Sequence, residues 1–164
     1  MQKQEAEKEF EQHIKENELL IYKVCRMYAH TSADRKDLFQ EIVIQLWNAY
    51  PKFRGESKFS TWLYRVALNT AITGLRKKKD FIESREPSQL PERIGEENAG
   101  REEELLQLYK AIGQLSEIEK AIVMLYMEDR SYEEMEEILG MSQVNLRVKM
   151  NRIKEKLRQL TKNN

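Results

Sequence analysis

Ser131-Tyr132-Glu133-Glu134-Met135-Glu136-Glu137-Ile138-Leu139-Gly140-Met141-Ser142-Gln143-Val144-Asn145-Leu146-Arg147-Val148-Lys149-Met150-Asn151-Arg152 reads as two short helices hinged on a glycine. Ser131 with Glu134 three residues on has the capping-box spacing, in which hydroxyl and carboxylate satisfy each other's backbone N–H. Gly140 suits the left-handed residue that closes a helix. Ser142 then has the right chemistry to cap a second helix. Two helices joined by so tight a turn form a helix-turn-helix, whose second helix can enter a DNA major groove.

The second helix runs over about 142–160 and can be placed on a wheel at about 100° per residue. Leu146, Met150, Ile153, Leu157 and Leu160 share one sector, which must pack inward. Val144, Arg147, Val148 and Asn151 point the other way, with Lys154 and Arg158 beside them and Lys149, Arg152 and Lys156 on the opposite flank. Arg donates in bidentate fashion to guanine, Asn pairs with adenine, and an outward valine finds a partner in a thymine methyl. The flanking cations suit phosphates. The competing reading is a basic amphipathic helix that packs on one side and is solvated on the other.

Upstream, helical periodicity covers about 102–114 and 117–128, and the helix-turn-helix begins at 131. From Asp80 to Glu104 periodicity is lost among Pro87, Pro91, Gly95, Gly100 and many acids, the signature of an interdomain linker. Before it, residues 5–30 read as helix broken near Asn17. A second helix is capped by Asp34, carries Leu38, Ile42, Val43, Leu46, Trp47 and Tyr50, and stops at Pro51. A third is capped by Ser57 or Ser60 and runs to about Lys79. The expectation is an all-α protein of two small helical domains, 5–79 and 105–160, joined by an acidic linker over 80–104.

The 164 residues, 40% hydrophobic and 34% charged, suit modest cores rather than one large one. Lys and Arg balance Asp and Glu at 28 each, yet the charge is unevenly spread. Residues 52–79 net +7 and 141–164 net +6, while 80–104 and 117–137 each net −6. Two basic segments parted by acidic ones point to two polyanion contacts. The single cysteine, Cys25, excludes an internal disulfide and a cysteine metal cluster and reads as a buried thiol. His13 and His30 lack ligand spacing, so no metal or cofactor is expected. A polar N-terminus shows no signal peptide, and no apolar run approaches the ~18 residues of a membrane span, so a cytoplasmic protein without membrane insertion is expected.

On the helix from Phe59, Trp62, Arg65, Asn69, Thr73 and Arg76 form a narrow stripe that runs into Lys77-Lys78-Lys79. Aromatic, Arg and Asn side chains so arranged suit single-stranded nucleic acid; the alternative is a Trp62 buried in the core. Asp37-Leu38-Phe39-Gln40-Glu41, Trp47, and the run Phe53-Arg54-Gly55-Glu56-Ser57-Lys58-Phe59-Ser60-Thr61-Trp62-Leu63-Tyr64-Arg65-Val66-Ala67-Leu68-Asn69 resemble region 2 of the extracytoplasmic-function (ECF) sigma factors. Ser131 to Arg152 resembles their region 4. The resemblance covers about 10–79 and 105–160.

The resemblance implies a subunit that binds core RNA polymerase and promoter DNA and performs no catalysis. Asp37, Leu38, Gln40, Glu41 and Trp47 would dock on polymerase, Leu38 and Trp47 in partly structural roles. The loop with Phe53, Arg54, Ser57 and Lys58 would receive a base flipped from the −10 element. Trp62 would support that loop or stack, Arg65 and Asn69 would contact the strand, and Arg76 and Lys77 would meet phosphates. Ser131, Val144, Arg147, Val148, Lys149, Asn151, Arg152 and Lys154 would serve the −35 duplex, with Ser131 near a phosphate. An anti-sigma factor is implied as a partner, and no sensor domain is expected after region 4. Three positions depart from the family pattern: Glu136 replaces a small residue that packs the two helices, Val144-Asn145 replaces Gly-Thr, and Val148 replaces Ser. A different class remains open, a free-standing helix-turn-helix regulator binding duplex DNA as a dimer. An enzyme is disfavoured, since no nucleophile–base set, metal spacing or phosphate loop is visible.

Overall fold

The computed structural model describes residues 2–81 and 99–162, with side chains described over 2–75 and 102–162. Every regular element among them is helical, and the chain divides into two compact units, Met1–Pro91 and Glu92–Asn164.

The first unit contains α1 (Gln2–Glu16), α2 (Glu18–Tyr28), α3 (Ser32–Ala49), a 3-10 turn (Tyr50–Lys52) and α4 (Phe59–Phe81). The chain breaks between α1 and α2 at Asn17, as expected, because its side-chain amide donates to the His13 carbonyl (2.8 Å) and competes with the helix ladder. Helices α2, α3 and α4 pack on one another around Ile21, Val24, Ile42, Leu46, Leu63 and Tyr64, all with no exposed surface. Cys25 lies in this core, and its burial, partly offset by the nearby Arg35 charge, pushes the thiol up to about 11.

Several helix boundaries differ from expectation. The cap of α3 is Thr31, not Asp34: the Thr31 hydroxyl accepts from the Asp34 N–H at 3.1 Å, which places Asp34 in the first turn. Pro51 ends α3, but through a further 3-10 turn rather than an abrupt stop. Neither Ser57 nor Ser60 occupies the cap of α4. Lys58 does, its carbonyl accepting from Trp62 N–H at 3.2 Å, and Ser60 lies within the first turn. Residues 80–81 and 99–104, assigned by sequence to the linker, are helical; the rest of that segment, 82–98, lies outside the described residues.

The second unit contains α5 (Ala99–Gly113), α6 (Glu117–Met127), α7 (Tyr132–Leu139) and α8 (Gln143–Lys162). Helix α8 is the common partner of the other three. Leu146 and Ile153 are fully buried and Met150 nearly so, as are Ile122 and Leu125 of α6 and Met135 and Ile138 of α7, the helices that pack on α8. Leu157 and Leu160, expected on the same stripe, are half-buried near its end. The complete capping box falls at Ser116 and Glu119, bonded reciprocally at 3.2 and 2.9 Å. At Ser131 the hydroxyl accepts from Glu134 N–H at 3.1 Å, but the Glu134 carboxylate pairs with Arg130 (3.1 Å). Among the described residues no helix is long and apolar enough to cross a membrane.

Candidate nucleic-acid and polymerase interfaces

The turn between α7 and α8 is closed by Gly140 at φ 70°, in the left-handed region where a side chain is disfavoured. Its N–H bonds the Glu136 carbonyl at 2.8 Å. Ser142 caps α8 as its chemistry predicted, its hydroxyl accepting from Asn145 N–H at 3.2 Å. A second acceptor is also present: Glu136 Oε2 takes the Gln143 N–H at 3.2 Å. Glu136 therefore points outward and bonds the first residue of the next helix.

With both ends of the turn tied, α8 presents the expected face. Val144 is 70% and Val148 44% exposed, with Arg147 and Asn151 exposed beside them. Arg152 is exposed, while Lys149 and Lys154 are half-buried flanks. The Arg147 guanidinium lies 5.1 Å from the centre of the Tyr132 ring and Lys154 Nζ 4.8 Å from that of Tyr126. These rings hold the two cations by cation–π attraction while leaving their donors accessible. Sequence reasoning missed Tyr126 and Tyr132, whose proximity depends on how α6 and α7 pack on α8. Ser131 stands apart, capping α7 among the carboxylates of Glu133 and Glu134.

In the first unit, rings from four segments converge beside α4. Phe10 packs on Trp47 (5.0 Å between centroids) and Tyr50 (5.3 Å). Phe53 meets Trp62 at 5.0 Å and Phe59 edge-on at 5.6 Å, and His13 stacks on Phe59 at 4.2 Å. Trp62 is thus neither core nor free-standing: it is half-buried among the rings that carry the 53–58 loop. Gly55 turns that loop at φ 72°. Arg54, Lys58, Arg65, Asn69 and Thr73 are exposed, and Ser57 is half-buried. The backbone of Arg76 and Lys77 continues α4, but their side chains lie outside the described residues.

On α3 the expected polar positions Asp37, Gln40 and Glu41 are exposed and share one face. Ile44, 52% exposed, joins them at the spacing of one more turn. The wheel places Ile44 opposite the buried Ile42–Leu46 stripe, so its outward position was readable from sequence although it was not singled out. Leu38 and Trp47 are half-buried, and Trp47 is turned toward Phe10.

Residues 13–81 match the family model of sigma-70 region 2, and residues 105–157 match that of sigma-70 region 4. The ECF RNA polymerase sigma-E factor of Escherichia coli is 33% identical over 137 residues, covering 76% of this chain and 72% of that protein. The chain belongs to the ECF sigma factor family. The ECF sigma factor SigG of Mycobacterium tuberculosis is 36% identical over 90 residues, and there the match spans only 22% of the relative's length. Two solved structures share this chain's fold. RpoE of Bartonella quintana, determined with the anti-sigma factor NepR, aligns at TM-score 0.77 and 18% identity over 94% of this chain and 98% of that one. CnrH, determined with the cytosolic domain of CnrY, aligns at 0.68 and 21% over 96% and 90%. In this ECF sigma chain the region 2 match contains the ring cluster apart from Phe10, the 53–58 loop and the exposed α3 face. The region 4 match contains the α7–α8 turn and the α8 face as far as Leu157.

Proposed function

We propose that this ECF sigma chain binds core RNA polymerase and directs it to promoters, reading −10 and −35 elements with separate units and doing no chemistry itself. The observation that carries this is the α8 face. Two exposed valines, Arg147 and Asn151 stand outward on a helix whose start is fixed by Gly140, Ser142 and Glu136. An exposed valine gains nothing in water, but it gains apolar contact against a thymine methyl in the major groove. Arg147, Val148 and Asn151 meet bases, Val144 adds apolar contact, Lys149, Arg152 and Lys154 meet phosphates, and Ser131 lies near the backbone.

In the first unit Arg54, Ser57, Lys58, Arg65 and Asn69 bind the −10 strand, with Phe53 and Trp62 supporting the loop that takes a flipped base and Arg76 and Lys77 on phosphates. The α3 face of Asp37, Gln40 and Glu41 docks on polymerase, with Leu38 and Trp47 holding that helix in place. The working domains are 5–79 and 105–160, the protein acts in the cytoplasm, and an anti-sigma factor restrains it. Support for the last point is that the structural relatives RpoE and CnrH were determined with NepR and with the cytosolic domain of CnrY. A free-standing dimeric regulator has less support, because it has no use for a sigma region 2.

The test is in vitro transcription with purified bacterial core polymerase on a promoter-fragment library, with and without the chain. Sharply initiated transcripts that depend on the chain are expected, and Arg147→Ala is expected to lower output selectively at templates sharing one −35 base. No transcripts, together with failure to bind core in a pull-down, would overturn the proposal.

A further inference from the structure

Glu136 of α7 reaches across the turn to the start of α8, and the bonds there show what it does. The Glu136 carboxylate accepts the Gln143 N–H at 3.2 Å, and the Ser142 hydroxyl accepts that of Asn145 at 3.2 Å. Two of the N–H groups at the start of α8 are therefore satisfied by the protein's own oxygens. The open end of a DNA-reading helix ordinarily offers such N–H groups, and the positive end of its dipole, to a backbone phosphate. Here an exposed carboxylate already sits there, one helical turn along α7 from Tyr132, whose ring lies against Arg147.

We infer that Glu136 is a specificity-determining residue of the second unit, a built-in substitute for phosphate that sets the start of α8 and weakens sequence-independent attraction to duplex DNA. The inference rests on the reading of α8 as a duplex-binding helix. Its logic is electrostatic. The carboxylate stabilises the helix start in the absence of DNA. When a duplex arrives, the same charge opposes the nearest phosphate and subtracts from the pull of Arg147, Lys149, Arg152 and Lys154. Non-specific affinity scales with net phosphate neutralisation, whereas base contacts do not, so the stringency of recognition rises as total affinity falls.

The experiment is fluorescence anisotropy of the full chain on a mixed-sequence duplex across a salt series. Glu136→Gln keeps an oxygen acceptor for the Gln143 N–H but removes the charge. It is expected to bind about three-fold tighter at low salt, with a steeper dependence of log K on log salt. Glu137→Gln, a neighbouring exposed glutamate with no contact to α8 described, is expected to change binding less. Arg147→Ala is expected to weaken binding. A purely structural role for Glu136 predicts unchanged or weaker binding in Glu136→Gln, and that result overturns the inference, as does equal tightening in Glu137→Gln. If Arg147→Ala has no effect, the duplex-reading face itself is wrong and the inference falls with it. If Arg147→Ala weakens binding but Glu136→Gln does not tighten it, the inference alone fails.

Discussion

In the first unit the exposed stripe of α4 rests beside rings: Phe53, Phe59, Trp62 and Tyr50 touch at centroid distances of 5.0–6.5 Å and are all only half-buried. In the second unit the stripe of α8 stands on Leu146, Met150 and Ile153, with 0–3% of their surface exposed. The α8 start is also tied by a left-handed glycine, a hydroxyl and a carboxylate, whereas the 53–58 loop leads into α4 through the Lys58 carbonyl, which accepts from Trp62 N–H. Rings in partial contact with water can admit one more planar group by exchanging one stacking partner for another. An aliphatic stripe at full packing density cannot rearrange without opening voids, so it holds a helix at one angle. The contrast teaches that adaptability and fixed register come from different side-chain chemistry. The first suits a separated strand and the second a regular duplex.

The comparison breaks most readily in the cores. Leu46→Ala and Ile153→Ala each delete a fully buried aliphatic side chain and should cost about 2–5 kcal/mol. Both tryptophans, Trp47 and Trp62, belong to the first unit, so their fluorescence follows that unit while circular dichroism follows all the helices. In urea titrations Leu46→Ala should shift the fluorescence transition, and Ile153→Ala should shift only a dichroism component. An equal fluorescence shift from Ile153→Ala would show that the two units do not unfold separately.

A smaller effect separates the two turns. Gly140 and Gly55 both sit near φ 70°, and at both an added Cβ would meet nothing, so alanine costs only backbone strain. Gly140→Ala should destabilise the second unit by about 1–2 kcal/mol, because Ser142 and Glu136 fix both sides of the turn. Gly55→Ala should cost the first unit less, since its loop can shift. The reverse order in urea midpoints would mean that the loop is the more tightly held of the two.

The smallest effect is a pH dependence confined to the second unit. Burial alone would raise the Glu119 carboxyl, but its bonds with Ser116 and the Lys156 ammonium outweigh burial and hold it below the usual range. A carboxyl depressed in the folded state stabilises fully above its unfolded value, and the contribution fades as pH falls through the folded one. Acidification below about pH 4.5 should therefore erode the second unit, and Glu119→Gln should flatten that slope in dichroism-monitored melts.

Much of this was legible in the residue order. The Asn17 break, the left-handed Gly140, the Ser142 cap and the inward Leu146–Met150–Ile153 stripe each follow from one side chain's local chemistry or from helical period. Where two local caps competed, sequence chose wrongly. Thr31 outranked Asp34, and the full capping box formed at Ser116 rather than Ser131, where the Glu134 carboxylate bonds Arg130 and the Ser131 hydroxyl. What sequence could not supply were meetings between segments: His13 on Phe59, Arg147 over Tyr132, Glu136 onto Gln143. Those depend on how helices cross, which no window of neighbouring residues encodes.

Cys25 is the only sulfhydryl in the sequence, and 1% of its surface meets solvent. A thiol reagent can reach it only when the α2–α3–α4 packing parts, and burial, by raising its pKa to about 11, keeps it protonated through neutral pH. The natural chain therefore carries its own stopwatch. The rate at which a maleimide consumes that one sulfur counts the openings of the first unit, and a promoter strand or polymerase that clamps the unit shut would slow the clock without any label having to be engineered in.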